Sequence, residues 1–184
     1  MNYYSSGFYK YFAPNGAKVS GVYAHRMAEP PFLPIMIISL QQGHASQIIS
    51  HARECAPHEC CGLVGGNEAR AQTIYPLRNV AADPLVTYEA SPEDLFAAQR
   101  SMRERGEQLL AIYHSHPRSA DPKPSDTDVR LAYYPSAVYF IVGLGGEQPS
   151  LGAFRISESE GRWEAVEYEV VPARITETEI AGLS

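Results

Sequence analysis

A continuous apolar run, LLAIY at residues 109–113, leads directly into His114 and His116. An uninterrupted apolar segment of this length is typical of a strand that is buried on both faces of a sheet. On a strand, residues i and i+2 point to the same face, so the two imidazoles lie side by side while Ser115 points away. The sequence therefore predicts a sheet with covered faces, and a pair of histidines at the end of one buried strand.

Two segments carry the 3.6-residue apolar period of amphipathic helices. The first ends before Pro57 and repeats apolar residues at i, i+3, i+4 and i+7, namely Ala45, Ile48, Ile49 and Ala52. The second begins with Ser91 as a cap and Pro92 at the first helical position, and it ends at Gly106. Its predicted buried face consists of Leu95, Ala98 and Met102.

Short apolar segments predict the strands. They are residues 35–40, CGLVGG, AQTIYPLRNVA, LVTYEA, QLLAIYH, AVYFIVGL and a final hairpin that turns near Gly161. A short helix, SDTDVRLAYY, should end at Pro135. Because strands and helices alternate without a strict repeat, the predicted class is α/β or α+β, with a mixed β-sheet flanked by helices.

The first 34 residues differ from the rest of the chain. They contain five of the 12 tyrosines and show no sustained period of 2 or 3.6 residues. A segment this short could not bury a core of its own. We therefore predict an N-terminal extension over residues 1–34 and a single domain over residues 35–184.

Composition excludes several classes of partner. The formal net charge is −6 with only three lysines, so the basic surface typical of nucleic-acid binding is missing. The longest apolar runs are far shorter than the roughly 20 residues of a membrane-spanning helix, and no signal peptide is recognisable. Three cysteines, two of them adjacent, do not form a disulfide framework. We predict a cytoplasmic protein that binds neither nucleic acid nor membrane.

The histidine pair has the chemistry of a metal site. Two imidazoles and a third ligand on a separate element would leave a zinc ion with an open position for water. Aspartates of the downstream stretch SDTD could supply that ligand. Each signal has a plainer explanation, because a His-x-His pair is often just polar, and Ser125 with Asp128 forms the S-x-x-D pattern of a helix capping box.

Two separated segments, PHECCGLVGG and HSHPRSADPKPSDTD, together resemble the JAMM family, the MPN-plus metalloproteases. Three elements match in order: Glu59 near a Cys-Gly strand, then His-Ser-His-Pro, then Ser-x-x-Asp. The resemblance covers about residues 35–170 and is closest to the small stand-alone prokaryotic members. It implies the MPN/JAMM fold, which is similar to that of cytidine deaminases.

The resemblance also implies a role for each matching residue. His114, His116 and Asp128 would bind zinc, and Glu59 would act as general base toward the attacking water. Ser125 would donate a hydrogen bond to the oxyanion of the tetrahedral intermediate.

The loop after His116 is one residue longer than the family pattern. Asp126 and Asp121 therefore remain rivals of Asp128 for the third ligand position, although Pro124-Ser125 and the following VRLA favour Asp128. A loop with three prolines can absorb an inserted residue.

The family further implies cleavage after the C-terminal Gly-Gly of a ubiquitin-fold protein, or of a sulfur carrier related to ThiS and MoaD. The alternative is a catalytically silent MPN scaffold that only binds partners. A zinc nucleoside deaminase would need an H-x-E with P-C-x-x-C, which is absent. The oligomeric state stays open, with a homodimer as one alternative.

Other candidate residues have structural explanations. Adjacent Cys60 and Cys61 cannot both face one site from a strand, so we expect them to be packing residues. His58 is expected on a solvated loop, and His44 and His51, seven residues apart on the first helix, at the surface.

Overall fold

The computed structural model describes residues 37–172, so the predicted extension over residues 1–34 lies outside the described residues. In chain order the elements are β1 Ile38–Gln41, α1 Gln42–Cys55, β2 Cys61–Asn67, β3 Arg70–Leu77, α2 Pro92–Arg105, β4 Gln108–His116, α3 Asp126–Arg130, β5 Val138–Gly143, β6 Ser150–Ser157, β7 Arg162–Ala165 and β8 Tyr168–Val171. No helix within residues 37–172 is long and apolar enough to cross a membrane.

The strands form one eight-stranded sheet in the order β7-β6-β5-β4-β2-β3-β1-β8. It is mixed, because β1 pairs in parallel with β3 and β8, and β4 with β5, whereas the other neighbours are antiparallel. This confirms the predicted mixed sheet with flanking helices. The strand that ends in the two histidines, β4, lies between β2 and β5 in the interior of the sheet.

The sheet packs closely around Tyr113, the residue before His114. Its side chain is fully buried in the core cluster that also contains Ile48 and Ala52 of α1. Gly62 pairs with Tyr113 across the β2–β4 ladder, and a Cβ atom at that position would collide with the tyrosine ring. Because neighbouring strand residues face opposite sides, His114 points away from this core.

The second helix begins and ends as predicted. Ser91 is the N-cap and its hydroxyl accepts a hydrogen bond from the Asp94 N–H, while Gly106 ends the helix with a φ of 67°. A left-handed residue at this position is cheap only for glycine. The side chains of Leu95, Ala98 and Met102 are buried, as the apolar period predicted.

Two local predictions are wrong. The segment LVTYEA is not a strand but part of a loop between β3 and α2, because Leu85 and Val86 are exposed and the loop has only an isolated bridge from Asn79 to Ala90. The predicted hairpin that turns near Gly161 is confirmed as β6 with β7, and the segment after it, β8, joins β1 at the opposite edge of the sheet.

The second wrong prediction concerns the histidines of α1. His44 and His51 are half-buried and not at the surface. His51 Nδ1 lies 2.9 Å from the Tyr113 hydroxyl, and burial lowers the pKa of both imidazoles. The sequence did not show that a tyrosine of β4 would reach this face of the helix.

Candidate active site

His114 and His116 lie at the end of β4, where the sheet holds both backbone segments. His114 pairs with Cys61 of β2 on one side and with Ile141 of β5 on the other. Its side chain is fully buried, and the Nε2 atoms of the two histidines are 3.2 Å apart. As the i, i+2 spacing predicted, the imidazoles face the same way.

Asp128 reaches the histidines from the five-residue helix α3. Its Oδ1 lies 3.2 Å from His114 Nε2, and its Oδ2 lies 3.2 Å from His116 Nε2. Ser125 caps this helix in a capping box, and both its backbone N–H and its hydroxyl donate to Asp128 Oδ2 at 2.7 Å. The same cap that starts the helix therefore orients the carboxylate.

These three side chains fit a small divalent cation. One ligand atom from each lies within 4.8 Å of the others, and the closest separations are 3.2 Å. Ligand bonds of 2.0–2.1 Å in a tetrahedral zinc site put neighbouring ligand atoms about 3.3 Å apart. His114, His116 and Asp128 thus form a metal-binding group that supplies three ligand atoms.

The longer loop brings Asp128, and neither of its rivals, to the histidines. Asp121 is exposed and pairs with Lys123 at 2.6 Å, and Asp126 is exposed at the first position of α3. The loop is attached to the β5–β6 turn, where the Gly145 N–H donates to Ser119 O at 2.9 Å. A Cβ atom at Gly143 would come within 2.6 Å of that same carbonyl oxygen, so glycine makes room for the loop.

Glu59 is buried beside this group, with 5% of its surface exposed. Burial raises the pKa of its carboxyl to about 7, the nearby His116 opposes this shift, and the negative charge of Asp128 adds to it. Its backbone N–H donates to Pro84 O at 2.8 Å. A carboxylate with a pKa near 7 can accept a proton at neutral pH and release it again.

The electrostatics of the metal-binding group favour an ionised aspartate. Although burial alone would raise the pKa of Asp128, its hydrogen bonds with His114 and His116 and its contact with Ser125 hold that pKa far below the usual range. Burial acts to lower the pKa of His116, but the bond with Asp128 outweighs it and the net shift is upward. Asp128 therefore keeps its negative charge, which can attract a cation.

The family described as Prokaryotic homologs of the JAB domain matches residues 41–157. The chain belongs to this family. The match contains β2, β4 and α3, so it includes every element of the site.

Three curated proteins are similar in sequence to this JAB-family chain. Desampylase of Haloferax volcanii is 42% identical over 59% of this chain and 82% of the relative. The probable TtuB-protein conjugate cleaving protease of Thermus thermophilus is 33% identical, over 60% and 73%. The CysO-cysteine peptidase of Mycobacterium bovis is 30% identical, over 59% and 74%. The predicted class, a JAMM-type metallopeptidase, is confirmed.

Two solved structures are similar to the JAB-family chain. A protein from Desulfitobacterium hafniense is 31% identical, with a TM-score of 0.66 and coverage of 74% of this chain and 94% of that one. A JAB1/MPN domain protein from Archaeoglobus fulgidus is 22% identical, with a TM-score of 0.50 and coverage of 73% and 98%. The second likeness supports the predicted MPN fold.

Two residues of the site were missed in the sequence. The Tyr88 ring stacks on the His114 imidazole, with centroids 4.7 Å apart and planes inclined by 26°. Asn79 donates a hydrogen bond to the backbone carbonyl of Glu59 at 2.9 Å. Asn79 lies in the predicted strand AQTIYPLRNVA and Tyr88 in the predicted strand LVTYEA, but both belong to the loop between β3 and α2. A strand pattern gives no sign of a tyrosine that turns back onto β4.

The two adjacent cysteines and His58 have the burial that the sequence predicted. Cys60 and Cys61 are buried, and burial raises the pKa of the Cys60 thiol to about 12, so it is not a thiolate nucleophile near neutral pH. His58 is exposed on the loop before β2.

Proposed function

We propose that this chain is a zinc metallopeptidase that hydrolyses the peptide or isopeptide bond after the C-terminal Gly-Gly of a ubiquitin-fold or sulfur-carrier protein. The observation that carries the proposal is the group of His114, His116 and Asp128 beside the buried Glu59. The names of the relatives support the substrate class, since one is a probable TtuB-protein conjugate cleaving protease and another is a CysO-cysteine peptidase.

In this proposal the Nε2 atoms of His114 and His116 and the Asp128 carboxylate are the metal ligands. Two imidazole nitrogens with one carboxylate are a ligand set that suits zinc better than magnesium or calcium. Zinc, when bound, supplies a Lewis acid for the scissile carbonyl and lowers the pKa of a coordinated water to about 7. The buried strand end holds the imidazoles in place and limits the access of bulk water.

Glu59 is the proposed general base. Its carboxylate accepts a proton from the attacking water and then passes this proton to the leaving amine, so one water is consumed and an acid and an amine are released. The upward shift of its pKa suits both steps, because a weakly acidic carboxyl takes up the proton readily and can still release it.

Ser125 is the proposed donor to the oxyanion. Its hydroxyl now donates to Asp128 Oδ2, but its backbone N–H donates to the same oxygen and can retain the carboxylate alone. The hydroxyl is thus free to turn toward a substrate oxygen. It would then stabilise the charge that develops in the tetrahedral intermediate.

The proposed Gly-Gly preference rests on the family resemblance, and the shape of an extended glycine tail is compatible with it. Glycine has no side chain, so a Gly-Gly segment can lie flat against a strand edge and bring its carbonyl close to the metal.

We propose the cytoplasm as the location of the protein. The cysteines at 55, 60 and 61 form no disulfide, which fits a reducing compartment.

The test is a panel of ubiquitin-fold carriers, each fused after its Gly-Gly to a short peptide or linked to a lysine amine. We expect the zinc-loaded chain to cut the Gly-Gly forms. Replacing either glycine by a bulky residue should lower the rate about 100-fold, since a shift of about 1 Å in the carbonyl can cost that much.

Changes beyond the cut should matter little and serve as the matched control. Equal rates across the glycine variants would point to a general peptidase. No cleavage of any fusion by a zinc-loaded chain would instead favour the catalytically silent MPN scaffold.

A further inference from the structure

The peptide unit between Glu59 and Cys60 is held at both of its polar atoms by side chains from other elements. Asn79 Nδ2 donates to the carbonyl oxygen of Glu59 at 2.9 Å. The N–H of Cys60 donates to the hydroxyl oxygen of Ser115 at 2.9 Å. The plane of this peptide unit is therefore fixed immediately beside the side chain of Glu59.

Asn79 has no remaining hydrogen-bonding capacity. Its amide nitrogen donates to the carbonyls of Glu59 and Thr87, at 2.9 and 3.0 Å. Its side-chain oxygen accepts from the N–H groups of Ala81 and Glu89, at 2.9 and 3.0 Å. An asparagine side chain offers two donors and about two acceptor sites, so this arrangement uses all of them and fixes the amide orientation.

The loop that Asn79 organises contacts the site at two further points. Pro84 O accepts the N–H of Glu59 at 2.8 Å, and the Tyr88 ring stacks on His114. The backbone of Glu59 is thus bonded on both sides by one loop. The same loop covers the imidazole whose Nδ1 has no hydrogen-bond partner among residues 37–172.

Ser115 connects this arrangement to the histidines. It lies between them on β4, its side chain is fully buried, and its own N–H donates to Cys60 O at 3.2 Å. The strand that presents the two imidazoles therefore also holds the residue that follows Glu59. A displacement of the Glu59–Cys60 peptide unit would change the distance between the carboxylate and the histidines.

We propose that Asn79 and Ser115 are positioning residues, which hold the Glu59–Cys60 peptide unit and so set the Glu59 carboxylate against His114, His116 and Asp128. This inference rests on the proposed function of Glu59 as general base. In the proposed mechanism neither Asn79 nor Ser115 contacts the reacting atoms. Their effect should fall on kcat, because a base that is misplaced by about 1 Å can cost 100-fold in rate while the binding of substrate and metal persists.

The test compares Asn79→Asp with the matched control Asn67→Ala in the full chain. Aspartate keeps the two acceptors of Asn79 but loses the donors to Glu59 O and Thr87 O. Asn67 also donates from its side chain to a backbone carbonyl, that of Gly106 at 3.0 Å, but it lies at the end of β2 opposite the site. Zinc content, kcat, KM and amide hydrogen exchange are measured for each variant.

For Asn79→Asp we expect kcat to fall about 100-fold, with KM and zinc content within about 2-fold of the wild type. Exchange of the Glu59 and Cys60 N–H groups should quicken by up to about 10-fold, because the peptide unit loses the Asn79 donor that restrains it and one hydrogen bond is worth roughly that factor. Asn67→Ala should change neither. An unchanged kcat for Asn79→Asp, or an equal loss for Asn67→Ala, would overturn the proposal.

Ser115→Ala provides a second variant should Asn79→Asp fold poorly. It removes the acceptor for the Cys60 N–H and the contact of the Ser115 hydroxyl with the Cys60 thiol. Its effect on kcat should be non-additive with that of Asn79→Asp, because both act on one peptide unit. Strict additivity of the two losses would contradict a shared target.

A cobalt-loaded sample separates this proposal from the proposed function. The visible spectrum of bound Co²⁺ reports on the surroundings of the metal without any substrate. We expect Asn79→Asp to alter the spectrum in the same direction as Glu59→Gln, and Asn67→Ala to leave it unchanged. If wild type cuts no carrier fusion, the proposed function fails, and this spectrum still decides the positioning role: an unchanged Asn79→Asp spectrum would refute it.

Discussion

The two histidines and Asp128 meet at 3.2 Å, but the chain holds them in opposite ways. The sheet half of the site, His114, His116 and Glu59, rests on an interior strand and on buried backbone hydrogen bonds. The helix half, Ser125 and Asp128, rests on a five-residue helix without a buried residue. Its position depends on a capping box and on a loop attached to the β5–β6 turn.

Because of this difference, the sheet half should depend on the stability of the whole domain, and the helix half on local stability. A strand paired on both sides moves only if the sheet opens, whereas a single exposed turn of helix can fray on its own. Changes near the sheet half should therefore affect the stability of the whole domain. Changes in the helix half should affect the site and leave the domain folded.

Removing the base should have the largest effect on the reaction. We expect Glu59→Gln to lower the hydrolysis rate about 100-fold to 10,000-fold, because glutamine cannot accept the proton of the attacking water. Metal content should not change, since the residue is not among the three proposed ligands. Activity with a carrier fusion and metal analysis of the same sample check this. Loss of the metal in this variant would place Glu59 among the ligands.

Gly62→Ala is the sharpest way to break the sheet half. The new methyl group would collide with the buried Tyr113 ring, and overpacking of this kind costs about 3 kcal/mol in a rigid core. Denaturant unfolding measures the loss. Gly43→Ala is the matched control, because no atom lies within 4 Å of its added Cβ and it sits in α1. Equal stabilities of the two variants would mean that the sheet around Tyr113 can yield.

The buried Glu59 should make the metal-free domain sensitive to pH. The folded-state pKa of about 7 lies above the ordinary 4.5, so between these values the folded chain binds more protons than the unfolded chain. Its stabilising contribution is complete below pH 4.5 and is lost as the pH rises through 7. A shift of this size corresponds to at most about 3 kcal/mol.

Unfolding curves of metal-free wild type and Glu59→Gln from pH 4.5 to 8 isolate this contribution, because glutamine does not titrate. The wild type should lose more stability than the variant over that interval. Parallel curves would show that Glu59 titrates near its ordinary pKa in the folded chain.

Whether the sequence predicted a feature of the fold or the site depends on how far apart in the chain the interacting residues lie. The i, i+2 spacing predicted the common direction of His114 and His116, and the S-x-x-D pattern predicted the cap at Ser125, because both are local backbone effects. The family match supports the enzyme class. The metal and base roles of the individual residues stay predictions.

The β3–α2 loop shows what the sequence could not predict. Its apolar residues resemble a strand, but Asn79 satisfies the loop backbone with its own side chain, and that arrangement depends on Glu59, twenty residues earlier in the chain. The stacking of Tyr88 on His114 likewise needs the folded sheet. Contacts between distant segments leave no local period.

Ser125→Ala should weaken the helix half alone. Loss of an N-cap typically costs about 1 kcal/mol, but here mostly as fraying of α3, so the midpoint of global unfolding should move little. Metal affinity should fall only modestly, because the Asp128 carboxylate loses the hydroxyl donor but keeps the backbone N–H of residue 125. Ser125→Thr keeps that hydroxyl and should restore the affinity. A fall in global stability as large as that of Gly62→Ala would erase the distinction between the two halves.

The smallest expected effect lies at the far end of the sheet half, in the turn between β2 and β3. Glu68 and Ala69 have φ values of 49° and 62°, the left-handed conformation of a type I′ hairpin turn, in which asparagine and glycine are preferred. A non-glycine residue in the left-handed conformation destabilises the folded chain by about 1–2 kcal/mol, and glycine removes this cost. Glycine also increases the conformational entropy of the unfolded chain, which offsets up to about 1 kcal/mol of the gain. Ala69→Gly should therefore stabilise the domain by about 0.5 kcal/mol.

The same substitution in the second helix should have the opposite sign. Ala97 is exposed in the interior of α2, where glycine costs about 1 kcal/mol, so Ala97→Gly is the matched contrast. Thermal unfolding of both variants measures the difference. Because Cys61, at the other end of β2, pairs with His114, extra stability at the turn should leave metal affinity and kcat unchanged. An altered kcat in Ala69→Gly would show that the hairpin transmits strain along its whole length to the site, and that the sheet half is less rigid than its pairing indicates.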